Sequence, residues 1–137
     1  MAKKRGILTD WRLDNSGGTL TDISTQCTMV DLSNDVESFD VTAFQSGNKA
    51  YLVGFTDGKF SFEGFFDATL NAHLMGILGQ EASITFNWGP EGSASGKPKF
   101  SGEGFLTGYK PSSTVNAPNK FSATFQVTDA ITVGTYA

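Results

Sequence analysis

The sequence predicts a mainly β domain interrupted by one short α-helix, and three observations carry that prediction. Sixteen glycines and twelve phenylalanines stand among 137 residues of which only 18% are charged, a composition poor in solvated helix and rich in strands and turns. Apolar and polar residues alternate in several stretches, most cleanly at Phe121, Ala123, Phe125 and Val127 with Ser122, Thr124, Gln126 and Thr128 between them. Helical spacing of three and four is found at Leu70, Leu74, Ile77 and Leu78. The length suits one domain, 1–137, with a real core and little room for a second globular unit.

Taken in order, residues 1–20 carry a basic tip (Lys3, Lys4, Arg5), a mixed run with Trp11 and Leu13, and a turn at Asn15–Gly18, and are expected to form an N-terminal arm. Asp22 to Leu32 and Val36 to Phe44 read as two strands parted by a turn at Ser33-Asn34-Asp35. Residues 45–49 are a polar break. Tyr51, Val53 and Phe55 then alternate, and Asp57-Gly58 carries the sequence signal of a tight hairpin before Phe60 and Phe62. Asp67 can cap a helix of about 68–78, with Gly79 placed where a left-handed C-terminal residue belongs. Strand period returns at Ile84, Phe86 and Trp88 and over 100–106. Between the later strands, 89–98 and 111–119 read as irregular loops, long enough to be functional or mobile.

The charge balance excludes several function classes. Ten basic residues face fourteen acidic ones, and without Lys3, Lys4 and Arg5 the body keeps seven against fourteen. Such a body disfavours stable nucleic-acid binding. No stretch has the length of a membrane span, and no secretory signal opens the chain. One cysteine, Cys27, and no N-x-Ser/Thr acceptor point to synthesis in a reducing compartment.

Catalytic chemistry is not indicated either. His73 is the single histidine and falls mid-helix; with one Cys and one His, zinc could be held only with carboxylates and no HExxH or CxxC spacing exists, and residues 89–98 lack the glycine and hydroxyl positions of a phosphate-binding loop. No enzyme, cofactor or metal is expected. One internal similarity stands out: Phe60-Ser61-Phe62-Glu63-Gly64-Phe65 recurs forty residues on as Phe100-Ser101-Gly102-Glu103-Gly104-Phe105. Either two strands were independently built of Phe, Ser and Gly, or the two occupy comparable places in one sheet and present Ser61, Glu63, Ser101 and Glu103 on the same wet face.

Several segments in this order resemble the major tail proteins of tailed bacteriophages. They are Glu37–Phe44, Lys49–Gly58, Phe62–Asp67 ahead of the helix, the Gly-rich Gly102–Tyr109, and Lys120–Thr135. The resemblance spans about residues 20–135. It implies an antiparallel β-sandwich or barrel with one flanking helix, tail tube-like, whose copies form hexameric rings stacked into a tube. It further implies contact with other tail proteins at the tube ends, passage of DNA through the lumen without specific binding, no membrane, and a place in the virion tail after assembly in the host cytoplasm. Ser61, Glu63, Ser101 and Glu103 are then candidate lumen-facing residues. Two other readings stand beside this one. A head-decoration or neck-ring virion protein would share the composition, and a carbohydrate-binding β-sandwich would need exposed aromatics such as Trp11, Trp88 or Tyr109.

Overall fold

The structure is a computed structural model that describes residues 8–45 and 47–137. Its strands are β1 (Asp10–Asp14), β2 (Leu20–Asp22), β3 (Cys27–Asp40), β4 (Tyr51–Phe65), β5 (Ile84–Gly89), β6 (Pro98–Thr114) and β7 (Ala117–Thr135), with one α-helix, α1 (Ala68–Ile77), among the described residues. All seven strands join one sheet in the order β2-β1-β5-β6-β7-β4-β3, and each neighbouring pair is antiparallel. The predicted β class with one flanking helix is therefore the observed one.

The sheet is rolled. Three strands separate β1 from β4 in the order, yet the Trp11 ring of β1 lies 4.8 Å from Phe60 of β4 and 6.5 Å from Phe125 of β7. Trp11, Phe60, Phe86 and Phe125 are 0% exposed. Their rings meet in tilted and edge-on geometry, which suits the quadrupoles of aromatic faces and edges. Period-two patterning supplies these residues from one face of each strand: Phe60 and Phe62 from β4, Ile84 and Phe86 from β5, and Phe121, Ala123, Phe125 and Val127 from β7.

Helix α1 packs against β6 and adds its apolar residues to the core. The Asp67 side chain accepts from the backbone N–H groups of Thr69 (3.1 Å) and Leu70 (3.2 Å), satisfying two donors that the first turn leaves free. Leu70, Leu74 and Ile77 are buried. Gly79, at φ +77°, turns the chain out of the helix. Leu78 departs from the expected apolar stripe: it is the C-cap, partly exposed, and makes a parallel bridge to Leu106.

Four local expectations are corrected. Asp57-Gly58 is not a turn, because β4 runs straight through it with Asp57 opposite Asp35 and Gly58 opposite Asn34. A Cβ on Gly58 would stand 3.0 Å from Ile131 Cδ1, so this glycine makes room for a residue of β7. Ser33-Asn34-Asp35 likewise lies inside β3, and the reversal between β3 and β4 falls at 41–50. Most of the loop expected at 111–119 is paired strand, since β6 and β7 continue to Thr114 opposite Ala117. Finally, residues 1–20 are not one arm. Residues 1–7 lie outside the described residues, while Asp10–Asp14 is a strand between β2 and β5 that buries Trp11 and Leu13. The loop at 89–98 is irregular as expected, and it is tied down where Gly96 N–H donates to Tyr136 O (2.8 Å) and Tyr136 N–H to Lys97 O (3.0 Å).

Candidate functional site

Two surfaces stand out, and strand register builds both. The first is the face of the sheet turned away from the aromatic core. Ser61 and Glu63 alternate with buried Phe60 and Phe62, opposite Thr124 and Ser122 of β7. Glu103 lies between Thr85 of β5 and Thr128 of β7, and Ser101 between Asn87 and Thr132. All four candidate residues thus share one polar face, with β7 running between the two pairs. The carboxylates are held differently. Glu103 accepts from Ser83 Oγ (2.9 Å) and Thr85 Oγ1 (2.6 Å), whereas the Glu63 side chain is exposed and only its carbonyl accepts from Thr28 Oγ1 (3.3 Å).

The same face holds charges that the sequence pattern does not single out. At the base of the β3–β4 hairpin, Asp35 stands directly opposite Asp57, Ser33 opposite Lys59, and Asp31 opposite Ser61. Like charges in directly opposed positions repel, and here the Gln126 amide donates to Asp57 Oδ1 (2.6 Å) and Ser33 Oγ to Asp35 Oδ2 (3.3 Å). At the other end of the face lie Lys110 and Lys120. These residues escape a reading of the sequence because 33–35, 57–58 and 111–119 have the composition of turns and loop, where no face can be assigned. A signal is nonetheless present in β4, where Asp57, Lys59, Ser61 and Glu63 alternate with Gly58, Phe60, Phe62 and Gly64; a bulge opposite Val36–Ser38 takes Val53 and Tyr51 out of that register.

The second surface is the far part of that hairpin. β7 pairs with β4 only from Lys59 onward, so residues 51–58 have β3 as their one strand partner. At about 3.3 Å per residue, this two-stranded ribbon reaches roughly 25 Å beyond the last β7 pair. Its apolar side chains are uncovered: Phe55 is 83% exposed, Val53 81%, and Phe39, Tyr51 and Leu52 each more than half, with Phe44 at the tip fully exposed. An isolated two-stranded hairpin is marginally stable in water, and contiguous exposed apolar surface marks a place of contact. Two long strand edges are also free among the described residues: the outer edge of β3, and β6 beyond Gly104 on its β5 side apart from the single bridge at Leu106.

The remaining reactive groups are occupied in structural contacts. A His73 ring nitrogen lies 2.9 Å from the Asp14 carbonyl. Burial, reinforced by Asp22, pushes the Cys27 thiol up to about 12. Burial also pushes Tyr136 up to about 12, together with Asp10, whose carboxylate accepts from the phenol at 3.3 Å. Arg12 is raised chiefly by its hydrogen bond to Asp10 at 3.0 Å. No group of three His, Cys, Asp or Glu side chains among the described residues has metal-site geometry, and no helix there is long and apolar enough to cross a membrane. The three aromatics a sugar platform would need are engaged: Trp11 is buried, Trp88 stacks on Phe100 at 5.2 Å, and Tyr109 donates its hydroxyl to Asn71 (2.8 Å).

No protein-family model matches the sequence, and no curated protein matches it in sequence. Solved structures do match the fold. A chain from the tail of an empty gene transfer agent particle, refined with C6 helical symmetry, superposes with a TM-score of 0.80 at 18% identity, covering 96% of this chain and 99% of the other. A chain of the native gene transfer agent virion gives 0.79 at 17% identity with the same coverage. A chain of the six-fold symmetrised anti-feeding prophage baseplate gives 0.69 at 7% identity over 98% and 97% of the two chains. The fold is thus one found, over its whole length, in phage-like tail particles.

Proposed function

We propose that this protein is a structural subunit of a phage-type tail tube: copies close into hexameric rings, the rings stack, and DNA passes through the bore. The observation that carries this reading is the apolar β3–β4 ribbon, which leaves the body of its own subunit and is covered by none of the described residues. A second copy is the natural cover, because a homomeric contact supplies apolar surface wherever the ribbon itself is present. The free edges of β3 and β6 support ring closure in the same way: they lie on opposite sides of β4 and β7, so a head-to-tail pairing of one edge with the next copy's other edge repeats around a closed ring. The likeness to chains of six-fold tail particles supports the ring number.

Under this proposal, the polar face with Ser61, Glu63, Ser101 and Glu103 lines the bore, where six-fold repetition turns each carboxylate into a ring of negative charge that keeps DNA mobile. Other tail proteins meet the tube at its ends, the finished particle carries the protein in its tail, and assembly takes place in the host cytoplasm. The protein performs no catalysis.

Electron microscopy of the concentrated protein tests the reading. Six-fold rings or tubes are expected, and replacement of Val53 and Phe55 by Ser should leave a folded subunit that no longer assembles. A subunit that stays monomeric at high concentration, with and without the ribbon substitutions, would remove the proposal. Antibody labelling of particles adds location: signal on the tail shaft is expected, and signal on the head or at the head–tail joint would assign the subunit there instead.

A further inference from the structure

The polar face is not uniform along the strands. Toward the ribbon it carries Asp31, Asp35 and Asp57 around Lys59; toward the β6–β7 turn it carries Lys110 and Lys120 with the single acid Glu63. Two of the seven basic residues beyond Arg5 thus meet at one end of a body that is acidic elsewhere. Register explains the meeting. Lys110 pairs with Ser122 and Ser112 with Lys120, so the two lysines are diagonal neighbours on adjacent strands, with Cα atoms about 7–8 Å apart. Tyr109, next to Lys110, packs toward the core against Phe121, which sends Lys110 to the opposite face.

Lys110, Ser112, Lys120, Ser122 and Glu63 line one shallow depression of about 530 Å³. Neither lysine forms an ion pair, since the salt bridges among the described residues all involve Arg12. Two free ammonium groups at diagonal spacing, flanked by two hydroxyl donors, match the chemistry of consecutive phosphates on a nucleic-acid backbone.

We infer that Lys110 and Lys120, with Ser112 and Ser122, form a weak phosphodiester-contact site at the turn end of the polar face. Its physiological occupant rests on the bore reading above. In stacked rings the site gives each ring a band of twelve lysines next to a band of acids, so a passing duplex meets alternating attraction and repulsion with the period of one ring.

Lysine acetylation footprinting of the full chain, unassembled and assembled, tests this with a 16-base-pair duplex at low salt. Acetylation of Lys110 and Lys120 is expected to slow at least about threefold. Lys49 and Lys97 should keep their rates, and the protection should vanish in high salt. Inorganic phosphate at equal phosphate concentration should not protect, which separates a backbone contact from a free-anion site. In fluorescence anisotropy, the Lys110→Gln/Lys120→Gln pair should bind the duplex more weakly and lower the slope of log K against log salt by about 1.8, near 0.9 for each phosphate that is no longer neutralised. Equal acetylation rates with and without DNA, or protection confined to Lys3 and Lys4, would overturn the site. Protection of Lys110 and Lys120 in a protein that never forms tubes would keep the site and remove the bore; tubes with both lysines unprotected would do the reverse.

Discussion

The rolled body and the β3–β4 ribbon are built from the same residue types and treat them in opposite ways. Phe60 and Phe125 in the body are 0% exposed, whereas Phe55 and Phe44 in the ribbon face water. A phenylalanine in the body is held by rings on several strands, so its burial is complete within one chain. In the ribbon, the same side chain has its own strand and one neighbour, and no described residue completes its burial. Composition alone therefore cannot tell fold-forming from assembly-forming hydrophobics; the number of strands paired alongside them can.

Substitutions in matched pairs break or sharpen this contrast. The largest effect is expected at Gly64, where an added Cβ would collide with the Gln26 carbonyl, a backbone group that cannot swing aside. Gly64→Ala should prevent stable folding or lower the urea midpoint more than any single truncation in the ribbon. Next comes Phe60→Ala, which should cost about 3–5 kcal/mol by denaturant unfolding, with Leu74→Ala at about 2–4 kcal/mol, both through cavities in the closed core. Phe55→Ser should shift subunit stability by within about 0.5 kcal/mol, as surface changes do, while abolishing tubes in micrographs. A Phe55 variant as destabilised as the Phe60 one would erase the distinction between the two regions.

Smaller effects are expected from charge. Reversing Glu63 and Glu103 to Lys should permit assembly but slow genome ejection in a salt-dependent manner; normal ejection kinetics would take these acids out of the bore. Titration adds a final contrast. Cys27 and Tyr136 both have folded pKa values pushed up to about 12. A raised pKa holds the proton in the folded state, so this contribution to stability is complete below the unfolded values and is lost as pH rises toward 12. Unfolding midpoints should therefore fall over that alkaline range. Iodoacetamide should label Cys27 slowly at pH 8 in the folded chain and quickly once denaturant is added.

Period and capping make much of the fold legible in the sequence. Asp67, Leu70, Leu74 and Gly79 mark α1 to within a residue, because caps and helical spacing are local signals. The strands at 84–89 and 121–128 are equally plain. The misreadings share one physical cause: residues that favour turns also serve in exposed strands. Ser33-Asn34-Asp35 is polar because the ribbon base is wet on that face, and Gly58 is small because Ile131 crosses it, a residue seventy-three positions distant in sequence. Trp11 reads as part of an arm because nothing local reveals that the sheet rolls until β1 faces β4. For the candidate site, the repeat of Phe-Ser-x-Glu-Gly-Phe leaves two readings open, and the strand register places Ser61, Glu63, Ser101 and Glu103 on one face. The repeat is silent on Lys110 and Lys120, which share that face only through the β6–β7 register.

The poor self-sufficiency of the ribbon also bears on how a tube could begin. A two-stranded segment settles into one conformation only when something packs on it, so the first copies to meet must lose the ribbon's freedom before much surface is covered. Each later copy arrives at ribbons already fixed and loses less. Under the proposed assembly, growth of this kind would show a lag, a threshold concentration and rapid extension from seeds, with scattered subunits staying apart until a preformed end is offered to them.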